Sequence, residues 1–309
     1  MASRDWIWIG ILLFSQSQGL EAQQDYTIRT TSRLVLLDVS VKNKSGGFAS
    51  GLTKDNFKVF ENGKPQYISQ FADADIPVTA GIVVDESGSM RPKRPEVVTA
   101  ALAFIQASNP HDEIFVVNFN EKARRGLPDT MLFSDNIQQL REALWQGIPE
   151  GRTALYDAIE MALHHLTMGR RDKKTLVLIS DGGDNVSSHN LADVIHDTLT
   201  SLATIYTIGI FDQDDPDRNP HLLRELAHIS GGEAFFPASL AAVVPLCRQI
   251  AKDVRTRYTI GYIPSEDNGN RERHVRVVAT SPTGEKLIVR TRTSYMFPKD
   301  SGAGGAGTR

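Results

Sequence analysis

Five oxygen-bearing side chains stand where apolar runs give way to loops: Asp85, Ser87 and Ser89 in DESGS, Thr153 in GRT, and Asp181 in SDG. These residue types suit one hard cation. Mg²⁺ seeks an octahedron of oxygens and keeps several waters. The hydroxyls of Ser87, Ser89 and Thr153 can bind such an ion directly. Asp85 and Asp181 can hold metal-bound waters and orient the hydroxyls. A shell of neutral hydroxyls leaves the ion's charge poorly neutralised, so an external carboxylate would be attracted as the missing ligand. Gly88 and Gly182 are expected to permit the tight turns of such a site. One cysteine, Cys247, excludes an intrachain disulfide and a multi-thiolate zinc site.

Those residues converge only if the right elements carry them. Gly81–Val84 and Leu176–Ile179 are continuous apolar runs, as expected of strands buried on both faces. Further strands are expected at 114–119 and 205–210, with a return at 127–133. Helices are expected at 95–107, from Ser134 to Trp145, from Thr153 to Thr167, and at 190–202, 220–229 and 240–254. Gly231-Gly232 reads as a C-cap, and Pro245 should kink or delay the last helix. Strands alternating with helices over about 180 residues imply a doubly wound, mostly parallel sheet. In such sheets ligands bind outside the carboxyl ends of the strands, which is where all five oxygens fall.

The flanks are different. Leu37, Val39 and Val41 alternate with polar residues, and Asn62-Gly63 is a hairpin signal between 57–60 and 67–71. After Arg255, Tyr258, Ile260 and Tyr262 alternate, and 274–279 is expected to pair with 286–293 across SPTG. Each flank alone holds too few strands for stability. The expected fold is therefore α/β, with the parallel sheet (76–255) inserted in a small antiparallel β domain formed by residues 26–75 and 256–297. The alternative is that each flank extends an edge of the α/β sheet.

The motifs DESGSM, GRTALYDAI and LVLISDGGDN, in that order, resemble the three metal-site loops of the von Willebrand factor type A domain. That family's metal-ion-dependent adhesion site is defined by the D-x-S-x-S triplet, the Thr and the third-loop Asp. The segments GLTKDNFKVFENGKPQYISQF and RYTIGYIPSEDNGNRERHVRVVA resemble the flanks of a bacterial secreted family of type A-related proteins first grouped in acidobacteria. The resemblance covers roughly residues 30–297. It implies a metal site of Asp85, Ser87, Ser89, Thr153 and Asp181 holding Mg²⁺, with Mn²⁺ or Ca²⁺ as alternatives. It also implies a non-enzymatic adhesion or scaffold module, whose protein partner presents an Asp or Glu carboxylate. One departure is Glu86, where a small or neutral residue is usual; it is expected to face solvent.

The N-terminus reads as an address. The run WIWIGILLF follows Arg4 and is too short for a span of roughly 20 residues. Ala22 offers a cleavage position, so residues 1–22 are expected to be a secretory signal peptide, giving a periplasmic, cell-surface or secreted protein with no membrane span after cleavage. The tail 298–309, SGAGGAGTR included, reads as disordered. A net charge of −3, from 34 basic and 37 acidic residues, gives no footprint for nucleic acid. The acidic run Asp212, Asp214, Asp215 and Asp217 lacks the calcium-loop pattern and is expected to be a solvated loop that rims the main site. His164 and His165 are adjacent on a helix and make a poor ligand pair. Cys247, on an apolar helix, is expected to be a buried structural thiol. A metal-assisted hydrolase would need a general base that the sequence does not place, and a metal-free structural subunit is the third reading.

Overall fold

The computed structural model describes residues 34–211, 216–264 and 271–297. The expected signal peptide, the acidic positions Asp212, Asp214 and Asp215, and the expected disordered tail lie outside them. The amino-terminal flank forms β1 (Val35–Lys42), β2 (Phe57–Glu61), β3 (Lys64–Gln66) and β4 (Ile68–Ala72). Then come β5 (Val78–Asp85), α1 (Arg94–Ala107), β6 (Glu113–Phe119), β7 (Ala123–Arg125), α2 (Ile137–Leu144), α3 (Leu155–Leu166), β8 (Lys173–Ser180), α4 (Leu191–Ser201), β9 (Thr204–Gly209), α5 (Pro220–Ser230), β10 (Ala234–Phe235) and α6 (Val243–Arg255). The carboxyl flank adds β11 (Tyr258–Tyr262), β12 (Glu272–Ala279), β13 (Ile288–Arg290) and β14 (Ser294–Met296).

The central sheet has the order β10-β9-β8-β5-β6-β7, parallel except for β7. All eight residues of β5 are buried, because helices cover both faces of this sheet. The chain steps from β5 to β6 through α1, then back across to β8 through α3, and onward to β9 and β10. Right-handed crossovers in opposite directions put α1 on one face and α3, α4 and α5 on the other. The last helix, α6, packs on α1. The point where the strand order reverses lies at β5, so the loop after β5 opens into the crevice that such a reversal creates.

The two flanks interleave. One sheet has the order β13-β1-β11-β4, the other β14-β12-β2-β3, and every neighbouring pair in both is antiparallel. Their inner faces share one apolar core that includes Leu37, Val59, Tyr258, Ile260 and Val277. Each sheet thus draws strands from both ends of the chain.

Several local expectations are corrected. The partner of β6 is β7 at 123–125; 127–133 forms no strand, and Ser134, just after it, makes an isolated bridge to Ile114. Asn136, not Ser134, caps α2, its side chain accepting from the amides of Gln138 and Gln139; α2 ends at Leu144. The helix after Thr153 begins at Leu155. Asn62-Gly63 does turn a hairpin, but the returning strand is the short β3, and β4 crosses to the other sheet to pair with β11. The SPTG turn closes with a bridge from Thr280 to Lys286, but the pairing goes no further: β12 pairs with β2 and β14, while β13 pairs with β1. Pairing across a turn is the local choice; instead β4 and β13 cross over and become the two edge strands of the β13-β1-β11-β4 sheet. Gly231 caps α5 with φ 83°, and a 3-10 turn precedes α6, with Pro245 in its first turn. Among the described residues no helix is long and apolar enough to cross a membrane.

Candidate metal centre

Three loops at the carboxyl ends of the central strands meet over a cleft of about 230 Å³. The first follows β5. Asp85 is the last residue of that strand and is buried. Its Oδ1 accepts the amide of Ser87 at 2.8 Å, and its Oδ2 accepts the hydroxyl of Ser180 at 2.7 Å. Burial and then the charge of Asp181 push this carboxyl up to about 7, against the opposing hydrogen bonds. Ser87 Oγ lies 3.1 Å from Ser89 Oγ, and Ser89 Oγ donates to Asp181 Oδ2 at 2.7 Å. Ser87, Ser89 and Asp181 line the cleft together with Thr153 from the second loop. All five sequence-predicted residues therefore converge, from three loops that are distant in sequence.

The second and third loops brace each other. Helix α3 starts after Ala154, which has no side-chain cap to offer, and the first amides of a helix need acceptors. The third loop supplies them: Asp184 Oδ1 accepts the Tyr156 amide at 3.1 Å and Ser187 Oγ the Asp157 amide at 3.2 Å. Asp157 in return accepts the amides of Ser188 and His189 and the His189 ring Nδ1 at 2.7 Å. Thr153 and Asn185 exchange a pair of bonds at 3.0 Å each, one from the Thr153 amide to Asn185 Oδ1 and one from the Asn185 amide to the Thr153 carbonyl. The Gly88 amide donates to the Gly151 carbonyl at 3.1 Å, closing the first loop on the second.

Of the two glycines expected to ease tight turns, only Gly182 is needed for its backbone. Its φ is +85°, and an added Cβ would lie 2.6 Å from the Asn219 carbonyl oxygen. Gly182→Ala is expected to lose about 1–3 kcal/mol, read by urea denaturation; a loss under about 0.5 kcal/mol would contradict this. Gly88 is a correction: its φ is not in the left-handed region, and a Cβ there would only touch the Gly151 carbonyl at 3.5 Å.

Glu86 is the larger correction. It does not face solvent; it is 1% exposed. Its Oε1 is 2.8 Å from Arg94 Nη2 and its Oε2 3.7 Å from Arg124 Nη2. Arg94, at the start of α1, also lies over the ring of Trp145. The Glu86 amide donates to Phe119 and its carbonyl accepts from Glu150. This residue fixes the backbone between Asp85 and Ser87 against β6 and the second loop.

Asn185 is a cleft residue that the sequence did not single out, whereas Asp217 belongs to the acidic run expected to rim the site. Asn185 and Asp217 line its rim, with Asn185 Nδ2 donating to Asp217 Oδ2 at 3.3 Å, and Arg152 lines it as well. Asp217 thus rims the main site. Ser180, which anchors Asp85, precedes Asp181 directly; its signal was position at a strand end. Away from the cleft, His165 is buried against Phe115 and its Nε2 meets the Leu132 carbonyl, while His164 is exposed. Cys247 is buried and its thiol is pushed up to about 12 by that burial. Among the described residues no cluster of three or more His, Cys, Asp or Glu is placed to hold a metal; the cleft relies on hydroxyls.

A parallel sheet whose switch point presents D-x-S-x-S, a second-loop Thr and a third-loop Asp defines a von Willebrand factor type A domain. Residues 81–183 match the family model of the von Willebrand factor type A domain. The fold is similar to that of a solved von Willebrand factor type A protein from Catenulispora acidiphila, at 17% identity over 87% of this chain and 76% of that one, with a TM-score of 0.53. Solved structures with lower scores include an aerotolerance-related membrane protein from Bacteroides fragilis, at 15% identity over 57% of this chain and 98% of that one, TM-score 0.45. They also include proximal thread matrix protein 1 from the mussel byssus with a zinc-occupied MIDAS motif, at 12% identity over 59% of this chain and 48% of that one, TM-score 0.45. No curated protein matches the chain.

Proposed function

We propose that the chain is an exported, metal-dependent protein-binding module of the adhesion or scaffold type, whose site takes a carboxylate from a partner. The observation that carries this reading is the hydroxyl chain Ser87–Ser89–Asp181 facing an open cleft. The donor set fits a hard divalent cation: Ser87, Ser89 and Thr153 would hold it through neutral oxygens, and Asp181 would orient Ser89 and a metal-bound water. Asp85 does not line the cleft, and each of its oxygens already accepts a hydrogen bond, from Ser87 and Ser180, which suits it to a supporting role. A bound ion would supply positive charge that two neutral serines and a threonine leave uncompensated. Mg²⁺ is the preferred ion, with Mn²⁺ or Ca²⁺ as alternatives. Export rests on the amino-terminal WIWIGILLF segment and the cleavage position at Ala22.

Hydrolysis is not favoured. Asp181 accepts the Ser89 hydroxyl, but in this reading it is committed to a metal-bound water, and among the described residues no histidine lines the cleft to serve as general base.

The test is calorimetric titration of the purified chain with Mg²⁺, Mn²⁺ and Ca²⁺, followed by capture of partners from the native envelope or medium with and without EDTA. Wild type is expected to bind one divalent ion. Asp181→Ala is expected to weaken that binding by about 10–100-fold or more, and to lose the captured partner together with the EDTA-treated sample. Absence of divalent-ion binding in a folded wild-type chain, or partner capture insensitive to both EDTA and Asp85→Ala, would overturn the reading.

A further inference from the structure

A second cavity, of about 320 Å³, lies at the amino-terminal edge of the central sheet, away from the metal loops. One wall is the outer face of the β13-β1-β11-β4 sheet. Alternation along β1 turns Val35, Leu37 and Val39 into the sandwich core and leaves Leu36 and Asp38 on this outer face. The opposite wall comes from the starts of β8 and β9 and the residues around them, including Lys173 and Leu202. Leu34, Leu36, Ile76 and Leu202 supply its apolar side chains, and Asp172 and Lys174 line it as well. The volume is that of a small-molecule site, and clefts between structural layers are where such sites occur.

Into this apolar setting the chain places a buried cation. Arg292 lines the cavity and is 4% exposed. Its Nη2 reaches the Ala203 carbonyl only at 3.5 Å, and its Nη1 has no hydrogen-bond partner among the described residues. Thr259 also lines the cavity and its buried Oγ1 is likewise unpartnered. Asp38, the acid on the same wall, is engaged 3.6 Å from Lys173 Nζ. Burial holds the guanidinium below its ordinary range, at about 10, despite the nearby charge of Asp38. A buried guanidinium with an unfilled donor is costly, and such a group calls for an explanation. Its planar fork matches a carboxylate with two parallel bonds.

We infer that this cavity binds a small amphiphilic carboxylate, its head on Arg292 and its apolar body against Leu36, Ile76 and Leu202. Charge agrees: the five charged side chains of the lining, Asp38, Asp172, Lys173, Lys174 and Arg292, sum to one positive charge. The inference is independent of the metal site.

The experiment titrates the full chain with sodium decanoate and, separately, with decan-1-ol, by calorimetry or by chemical-shift changes. Decanoate is expected to saturate one site with a Kd below about 1 mM, and to bind at least tenfold tighter than the alcohol. Arg292→Met is expected to abolish that tenfold preference and leave the alcohol's affinity unchanged. Leu36→Trp, which fills the cavity from β1, is expected to block both ligands. The inference is overturned if wild type shows no saturable decanoate binding, if decanoate and decanol bind equally to wild type, or if a folded Leu36→Trp chain binds decanoate as wild type does. The wild-type comparison decides the matter even if Arg292→Met fails to fold.

Discussion

Asp253→Ala is expected to remove about 3–5 kcal/mol of folding stability, because it strands a buried arginine. Asp253 on α6 is 2% exposed and Arg257, which follows the helix, 3%. The carboxylate accepts from Ser40 Oγ of β1 at 2.5 Å, from the Tyr206 hydroxyl of β9 at 2.5 Å, and from Arg257 Nη2 at 3.1 Å. Arg257 in turn donates to Tyr206, to the Gly231 carbonyl and to the Asp38 carbonyl. One carboxylate therefore ties the last helix to the central sheet and to the antiparallel sandwich. Burial alone would raise its pKa, but the Arg257 charge and the two hydroxyls outweigh burial and hold it below the ordinary aspartate value. A carboxyl depressed in the folded state contributes stability above its unfolded value, near 3.9, and loses it as pH falls through the folded value. Urea denaturation of wild type should thus show an acid-side loss that Asp253→Asn lacks. Ser40→Ala, which removes one of three partners, should cost only about 1 kcal/mol. An Asp253→Ala chain within about 1 kcal/mol of wild type would show that the network adds little.

Glu86→Ala should cost a similar amount, about 3–5 kcal/mol, and for the same reason. It leaves Arg94, 8% exposed, without its carboxylate, while Nε and Nη1 of that arginine already lack hydrogen bonds among the described residues. Burial raises the Glu86 pKa, and Arg94 and Arg124 offset part of that rise. The pair is thus an expensive arrangement whose parts are tolerable only together. Replacing both partners by apolar groups, Glu86→Leu with Arg94→Met, should recover most of the loss. The main-chain bonds of residue 86 survive the substitution, but losing the Arg94 and Arg124 contacts loosens the loop that carries Ser87, so the single variant should weaken Mg²⁺ binding by about 10–100-fold. Thermal denaturation and calorimetry separate the two effects. A single variant as stable as wild type, or a double variant no better than the single, would remove the ion pair from this role.

Much of the site was legible because the features that define it are local. Strands β5 and β8 are uninterrupted apolar runs, and a strand buried on both faces needs no partner's identity to be recognised. The hydroxyls and carboxylates follow directly at their carboxyl ends, and the alternation of strands and helices places those ends on one edge of a sheet. Glu86 was misplaced because a charge is buried only when distant groups arrive to meet it. Arg94 and Arg124 come from another helix and another strand, and nothing adjacent to Glu86 announces them. Asn185 was missed as a cleft residue for a related reason: its position depends on how the third loop is stitched to α3.

The strand pairings divide in the same way. Residue types alone determined which segments are extended, which face of β1 and β11 is apolar, and that three loops would carry the oxygens of one centre. Only the tertiary structure decided that β4 and β13 leave their hairpins for the opposite sheet, that Asp253 and Arg257 lock the last helix to both layers, and that Arg292 is buried beside an apolar cavity. Side-chain period and backbone preference act over a few residues and can be read along the chain. Which strand, charge or wall lies opposite is set by burial summed over the whole molecule, and that sum has no local signature.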